Sequence, residues 1–158
     1  MNMNKVIIKN KEHINPAHQN EYAPYEYFKY IVSGAEDKNL CNVSIYEIPP
    51  GKSNYPYHYH TANEEIFYII SGKGLLRTPE GERTVSPGDV ALFPPSDKGA
   101  HKLTNISETE TLVYLDVDTN RFPEVVFYPD SDKIGIKAGG EMKNLFMYDT
   151  DVDYYAGE

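Results

Sequence analysis

The chain has 158 residues and a formal net charge of -9, with Tyr 14, Phe 6, Trp 0 and Cys 1. That length suits one domain with its own core. The acidic balance excludes partners held mainly by phosphate neutralisation, such as nucleic acid or an anionic membrane surface, which leaves a small molecule as the expected ligand. With Cys41 alone no internal disulfide is possible, and the residue is read as a small buried hydrophobe in a reducing compartment.

Along the chain, residues 1–15 are polar and lack the apolar run of a signal peptide. No stretch approaches the roughly 20 apolar residues of a membrane span. A soluble cytoplasmic protein is expected. Next, EYAPYEYFKY over 21–30 is dense in tyrosine and broken by Pro24; it reads as a strand or loop covering the core, with a substrate lid or a contact to a second copy as alternatives. His13 and His18 in this polar lead are assigned no role.

From Cys41 onward the apolar runs are short and bounded by Gly, Pro, Asn and Asp, the punctuation of an all-β chain. Strands are predicted over 41–48, 57–60, 65–71, 74–78, 83–85, 90–93, 100–105, 111–116 and 124–128. Turn signals stand at Pro50-Gly51, Gly72-Lys73-Gly74, Pro79-Glu80-Gly81 and Pro87-Gly88. Many short strands at this spacing predict a sandwich or closed barrel, since closure removes exposed strand edges. The division expected is an N-terminal extension over 1–37, a barrel core over 38–118, and C-terminal strands and tail over 119–158. Asp149, Asp151 and Asp153 have the spacing of a calcium loop, but Tyr154 stands where its glycine is needed, so a solvated acidic tail is expected. The triplets beginning at Asn42 and Asn105 match glycosylation acceptors by chance in strand-like segments.

The chemistry concentrates in four residues. His58 and His60 in Tyr57-His58-Tyr59-His60 share one strand face, which brings two imidazoles together and turns Tyr57 and Tyr59 the other way. After a turn, Glu65 opens EIFYIIS and shares a face with Phe67 and Ile69, where an unpaired carboxylate would cost several kcal/mol. A metal ion is one partner that removes that cost. His101, delivered by the loop 94–99, shares its face with Leu103 and Asn105. Three imidazoles and a carboxylate suit Fe, Mn, Ni, Zn or Cu as a divalent ion.

Two motifs around these residues resemble those of the cupin superfamily. Gly51, His58, His60, Glu65 and Gly72 follow the first, with one extra residue after Gly51. Gly88, Pro94, His101 and Asn105 follow the second, although Ser96 replaces a glycine and the loop to His101 is two residues longer. The resemblance implies a single-domain jelly-roll (double-stranded β-helix) barrel with N- and C-terminal extensions, holding one divalent transition metal through His58, His60, Glu65 and His101. Downstream, FPEVVFYPDSDKIGI and the ending VDYYAGE look like a group of small bacterial single-domain cupins of no settled activity. Cupin barrels commonly pair, so a homodimer is expected.

A metal centre of this kind supports dioxygen chemistry or Lewis-acid isomerisation of a small organic acid, sugar or related metabolite. A non-catalytic binding or sensing module is the alternative, and a site that is merely structural is a third. Candidates for a catalytic group beyond the ligands are Tyr57, Tyr68, Arg77 and Lys102, with Arg77 placed to hold a substrate carboxylate if it faces inward.

Overall fold

The computed structural model describes residues 6–139, 144–148 and 151–157. Thirteen strands run among the described residues: β1 Ala17–Tyr22, β2 Tyr25–Ser33, β3 Cys41–Ile48, β4 Tyr59–His60, β5 Glu65–Ser71, β6 Gly74–Thr78, β7 Gly81–Val85, β8 Val90–Phe93, β9 Lys102–Asn105, β10 Leu112–Thr119, β11 Glu124–Tyr128, β12 Lys133–Lys137 and β13 Asn144–Met147. They form two antiparallel faces. One is a six-stranded sheet in the order β1-β2-β3-β10-β5-β8. The other combines β13-β12-β11-β4 with β7-β6-β9, and these two pieces are stitched together by paired backbone hydrogen bonds between His58 and His101. The result is an all-β jelly-roll barrel, and among the described residues no helix is long and apolar enough to cross a membrane.

Alternation fixes which side chains enter the barrel. In β5, Glu65, Phe67 and Ile69 are buried while Tyr68 and Ile70 are exposed, and in β10 Leu112, Tyr114 and Asp116 are buried. These strands pack their inner residues with Tyr46, Ile48, Leu76, Val85, Phe93 and Leu103 in one hydrophobic core. Burying each large side chain of this kind contributes about 1.5–3 kcal/mol. The register then sorts the inner face into rows. Asn42, Asp118, Glu65 and Phe93 lie across four adjacent strands, followed by Ser44, Asp116, Phe67 and Ala91, and then by Lys29, Tyr46, Tyr114 and Ile69. The polar ends of the rows collect at one mouth of the barrel, and the apolar core closes the other side.

Four strands lie outside the predicted set. β1 and β2 extend the first sheet beyond β3, with Tyr27 of the tyrosine-rich stretch tilted against the rings of Tyr46 and Tyr55 at 5.4 and 4.9 Å. β12 and β13 extend the second sheet beyond β11. β1 and β13, AHQNEY and NLFM, are exposed along most of their length and so lack the apolar alternation that marks a half-buried strand, whereas β2, which continues the tyrosine-rich stretch, and β12 are mostly half-buried. Cys41 is half-buried rather than buried, because it opens β3 at the end of its pairing with Thr119. In the acidic run, Asp151 and Asp153 are exposed, and Asp149 lies outside the described residues, as do residues 1–5 of the polar lead.

The lengthened loop before His101 keeps a glycine-like path. Ser96 adopts φ 98°, a backbone that L-residues rarely take, while its N–H donates to the His60 carbonyl at 2.8 Å. Three residues on, Gly99 passes so close to Pro94 that a Cβ there would sit 1.9 Å from the Pro94 carbonyl oxygen. The tight approach that the motif normally gives to its own glycine is thus shared between Ser96 and Gly99, and it places His101 directly against His58.

Candidate metal centre

His58, His60 and Glu65 each turn one ligand atom toward a common point, all within 4.8 Å of one another. His58 and Glu65 are buried, and His60 is nearly so. His101, fully buried, brings its Nε2 to 3.1 Å from Glu65 Oε2, and His60 Nε2 lies 3.4 Å from the same oxygen. The parity argument therefore places the imidazoles and the carboxylate together, from β4, β5 and the start of β9. Tyr59, on the opposite face, stacks on Phe127 at 4.9 Å.

Hydrogen bonds on the far side of His58 and His101 set the orientation of these two rings. His58 Nδ1 donates to the Pro56 carbonyl and His101 Nδ1 to the Gly99 carbonyl, each at 2.9 Å, which leaves Nε2 of both rings as a lone-pair donor facing the centre. His60 Nδ1 faces Glu124 Oε2 at 3.8 Å. Burial, reinforced by the neighbouring His101, holds the His58 imidazole down to about 3, so it is neutral near pH 7. Burial would raise the Glu65 carboxyl, but the imidazoles of His101 and His60 overcome it and hold the group well below the usual range.

Glu65 Oε2 and His101 Nε2 are both buried and neither has a hydrogen-bond partner. With His101 neutral these are two acceptors facing each other, which repel unless a proton or a metal cation lies between them. A divalent ion fits that requirement, and the donor set of imidazole nitrogens and one carboxylate matches a first-row transition metal rather than calcium.

The centre opens on a cavity of about 160 Å³ lined also by Tyr46, Tyr55, Asp116, Asp118, Lys29 and Lys137. That is below the roughly 300–1,000 Å³ of pockets for drug-sized ligands, so it suits a small polar molecule. Burial and then the Glu65 charge push both Asp116 and Asp118 upward, Asp116 strongly, and one oxygen of each is buried without a partner. A larger cavity of about 410 Å³ lies elsewhere between the sheets, lined by Phe67, Leu76 and Phe93 among others, and no histidine reaches it.

None of the four catalytic candidates lines the cavity beside the histidines. Arg77 turns outward, donates through both terminal nitrogens to Asp130 at 2.6 and 2.9 Å, and lies over the Tyr57 ring at 4.0 Å. Tyr57 is buried beneath that guanidinium, away from the cavity. Tyr68 is 43% exposed on the outer face of β5, and Lys102 alternates outward from His101 and Leu103, over the ring of Tyr25. The condition on Arg77, that it face inward, is not met, because its strand partner row places Leu76, not Arg77, in the core.

Two kinds of functional residue escaped the sequence reading. Glu124 is completely buried and accepts hydrogen bonds from the backbone N–H of Thr61 and Ala62 and from the Asn63 side chain, which pins the loop joining His60 to Glu65. Asp116 and Asp118 share a face with Leu112 and Tyr114. In both cases the signal was available: a carboxylate alternating with buried apolar residues, the same pattern that singled out Glu65.

The cupin domain profile matches residues 44–118. A glucose-6-phosphate isomerase of Thermococcus gammatolerans is 32% identical over 135 residues, covering 76% of this chain and 70% of that protein. The chain belongs to the cupin family. A second glucose-6-phosphate isomerase, from Thermococcus onnurineus, is 30% identical over the same share of both proteins as the first, 76% and 70%. Among solved structures, this cupin resembles a protein of Acidithiobacillus ferrooxidans provisionally named as a sugar phosphate isomerase, with a TM-score of 0.75, 27% identity and coverage of 89% and 90%. The likeness to a cupin of Silicibacter pomeroyi, with a TM-score of 0.77, 21% identity and coverage of 89% and 92%, is one of fold.

Proposed function

We propose that this cupin is a metal-dependent isomerase that interconverts the aldose and ketose forms of a small phosphorylated sugar. The observation that carries the proposal is the cluster of His58, His60, Glu65 and His101 opening onto a small cavity with two further buried carboxyl groups. The two Thermococcus relatives, named glucose-6-phosphate isomerases, support the substrate class.

Aldose–ketose interconversion moves one proton between neighbouring carbons and another between their oxygens, with no net redox change. A divalent ion held by the four ligands would supply Lewis acidity toward a carbonyl oxygen. The chain itself supplies the rest. Asp116 and Asp118 present carboxyl oxygens to the cavity, suited to accepting a proton and returning it to the adjacent atom. Tyr46 and Tyr55, hydrogen-bonded to each other at 3.0 Å, hold the opposite wall rigid and limit water entry.

The test combines metal analysis with turnover. Protein purified without an affinity tag is assayed for metal content, then offered glucose 6-phosphate, fructose 6-phosphate and shorter phosphorylated aldoses and ketoses. About one equivalent of transition metal, with interconversion lost on chelation and restored by the same ion, is the expected result. Tight binding of these sugars without product would instead favour a sensing module, and oxygen consumption with a small acid would favour oxygenase chemistry.

A further inference from the structure

The overall charge of -9 makes the lysines in this cavity stand out. Lys29 reaches it from β2 in the first sheet, and Lys137 from β12 in the second. Both positions lie outside residues 44–118, so they are additions to the barrel that the cupin profile describes. Lys29 Nζ is held 5.1 Å from the centre of the Tyr46 ring, which itself lines the cavity. Lys137 sits opposite the buried Glu124 in the β11–β12 register. Among the described residues, neither ammonium is in an ion pair within 4.0 Å, unlike Lys11 and Lys52, which pair with Glu47 and Glu26.

We infer that Lys29 and Lys137 are the anion-holding pair of this site and take the phosphate of the substrate, one from each sheet. The inference rests on the isomerase reading for its substrate class. Two ammonium groups brought to one cavity from separate sheets match a dianion, which each can approach as a point charge. The acids lining the cavity are Glu65, Asp116 and Asp118, and Glu124 lies behind His60. A bound divalent ion with both lysines balances these four even if all are ionised. The cavity is thus less negative than the acidic protein around it, and it admits a small anion while the outer surface repels large polyanions. The extensions carry the recognition and the barrel carries the metal.

The test is calorimetric binding of glucose 6-phosphate and of unphosphorylated glucose to the metal-loaded protein, for the parent, Lys29→Gln, Lys137→Gln and the double variant. Arg77→Ala serves as a charge control on the outer face. Each single change is expected to weaken glucose 6-phosphate binding by about tenfold or more, and the double change further, consistent with about 1.5–3 kcal/mol for a charge-assisted bond. Glucose affinity, metal content and melting temperature stay at the parent values, and Lys→Arg at either position recovers most of the phosphate binding. Equal phosphate affinity in parent and double variant overturns the inference, as does a parent that binds no phosphorylated sugar. A parallel loss of both ligands or of metal also overturns it, because that marks the lysines as structural counter-charges for Asp116 and Asp118. If binding is lysine-dependent but no isomerisation occurs, the pair stands and the isomerase reading fails; turnover with lysine-independent binding gives the reverse.

Discussion

Glu65 Oε2 and His101 Nε2 lie 3.1 Å apart in the barrel interior, two acceptors facing each other when His101 is neutral. The arrangement explains why removing the charge and removing the ligand have different consequences. In Glu65→Gln the new amide can donate to His101 Nε2, which satisfies both groups without a cation. The variant is therefore expected to fold at least as well as the metal-free parent while its metal content falls from about one equivalent to near zero. Thermal melts with and without a chelator check this: the parent should lose stability on metal removal, by mass action, and the variant should not respond. A Glu65→Gln protein that keeps a full equivalent of metal would remove Glu65 from the ligand set.

Glu124 supports the same centre from behind. Its carboxylate holds Thr61, Ala62 and Asn63, which fixes the loop between two ligands, and places its charge 3.8 Å from His60 Nδ1. Glu124→Gln is expected to weaken metal binding by about 10–100-fold, the usual cost of losing a carboxylate behind a ligating histidine. It should also cost about 1–3 kcal/mol of stability, since Asn63 would lose a buried acceptor. Competition with a chromophoric chelator measures the first effect and urea denaturation the second. Lost stability with unchanged metal affinity would reduce Glu124 to a loop anchor.

Period-two alternation was enough to read much of the barrel and the shared facing of His58, His60 and Glu65, because these residues are buried on one side only, whereas the four-ligand set came from the cupin resemblance. β3, β5, β6, β8 and β11 fall on their predicted bounds, each with apolar residues alternating into the core. The cavity walls were harder to see. Lys29 and Lys137 lie on strands whose other faces meet solvent, and whose identity as strands comes from pairing with β3 and β11 rather than from their own composition. The facing of Arg77 stayed open because its position before a turn carries no information about facing until the register with β7 and β9 is known.

Arg77 and Asp130 form a bidentate pair on the outer surface, with side chains 39% and 46% exposed. The Arg77 hydrogen bond and charge hold the Asp130 carboxyl below its ordinary value of 3.8. A depressed carboxylate contributes stability that is present above its ordinary value and is lost as pH falls through its folded value. Exposure limits the pair to below about 1 kcal/mol. A double-mutant cycle with Arg77→Ala and Asp130→Ala should therefore show a small coupling at pH 7 that disappears in acid, with no change in turnover. A loss of substrate affinity in Arg77→Ala would return Arg77 to the site.

The outer face of the six-stranded sheet is apolar across four strands. Val43, Val117, Ile66 and Leu92 form one transverse row, and Ile45, Leu115, Tyr68 and Val90 the next. Leu92 is 57% and Val90 67% exposed, and these two rows contain no charged side chain. Contiguous apolar surface of this kind is rare on monomers. We propose that a second copy of the chain covers it. Two rows without charge offer little to a charged partner, whereas two copies related by a two-fold axis present matching flat sheets to each other. Sedimentation at micromolar concentration should give twice the chain mass. The double change Val90→Lys, Leu92→Lys should give monomers that retain metal, because both side chains point away from the barrel. A monomeric parent, or a dimer that survives both lysines, would place the contact elsewhere.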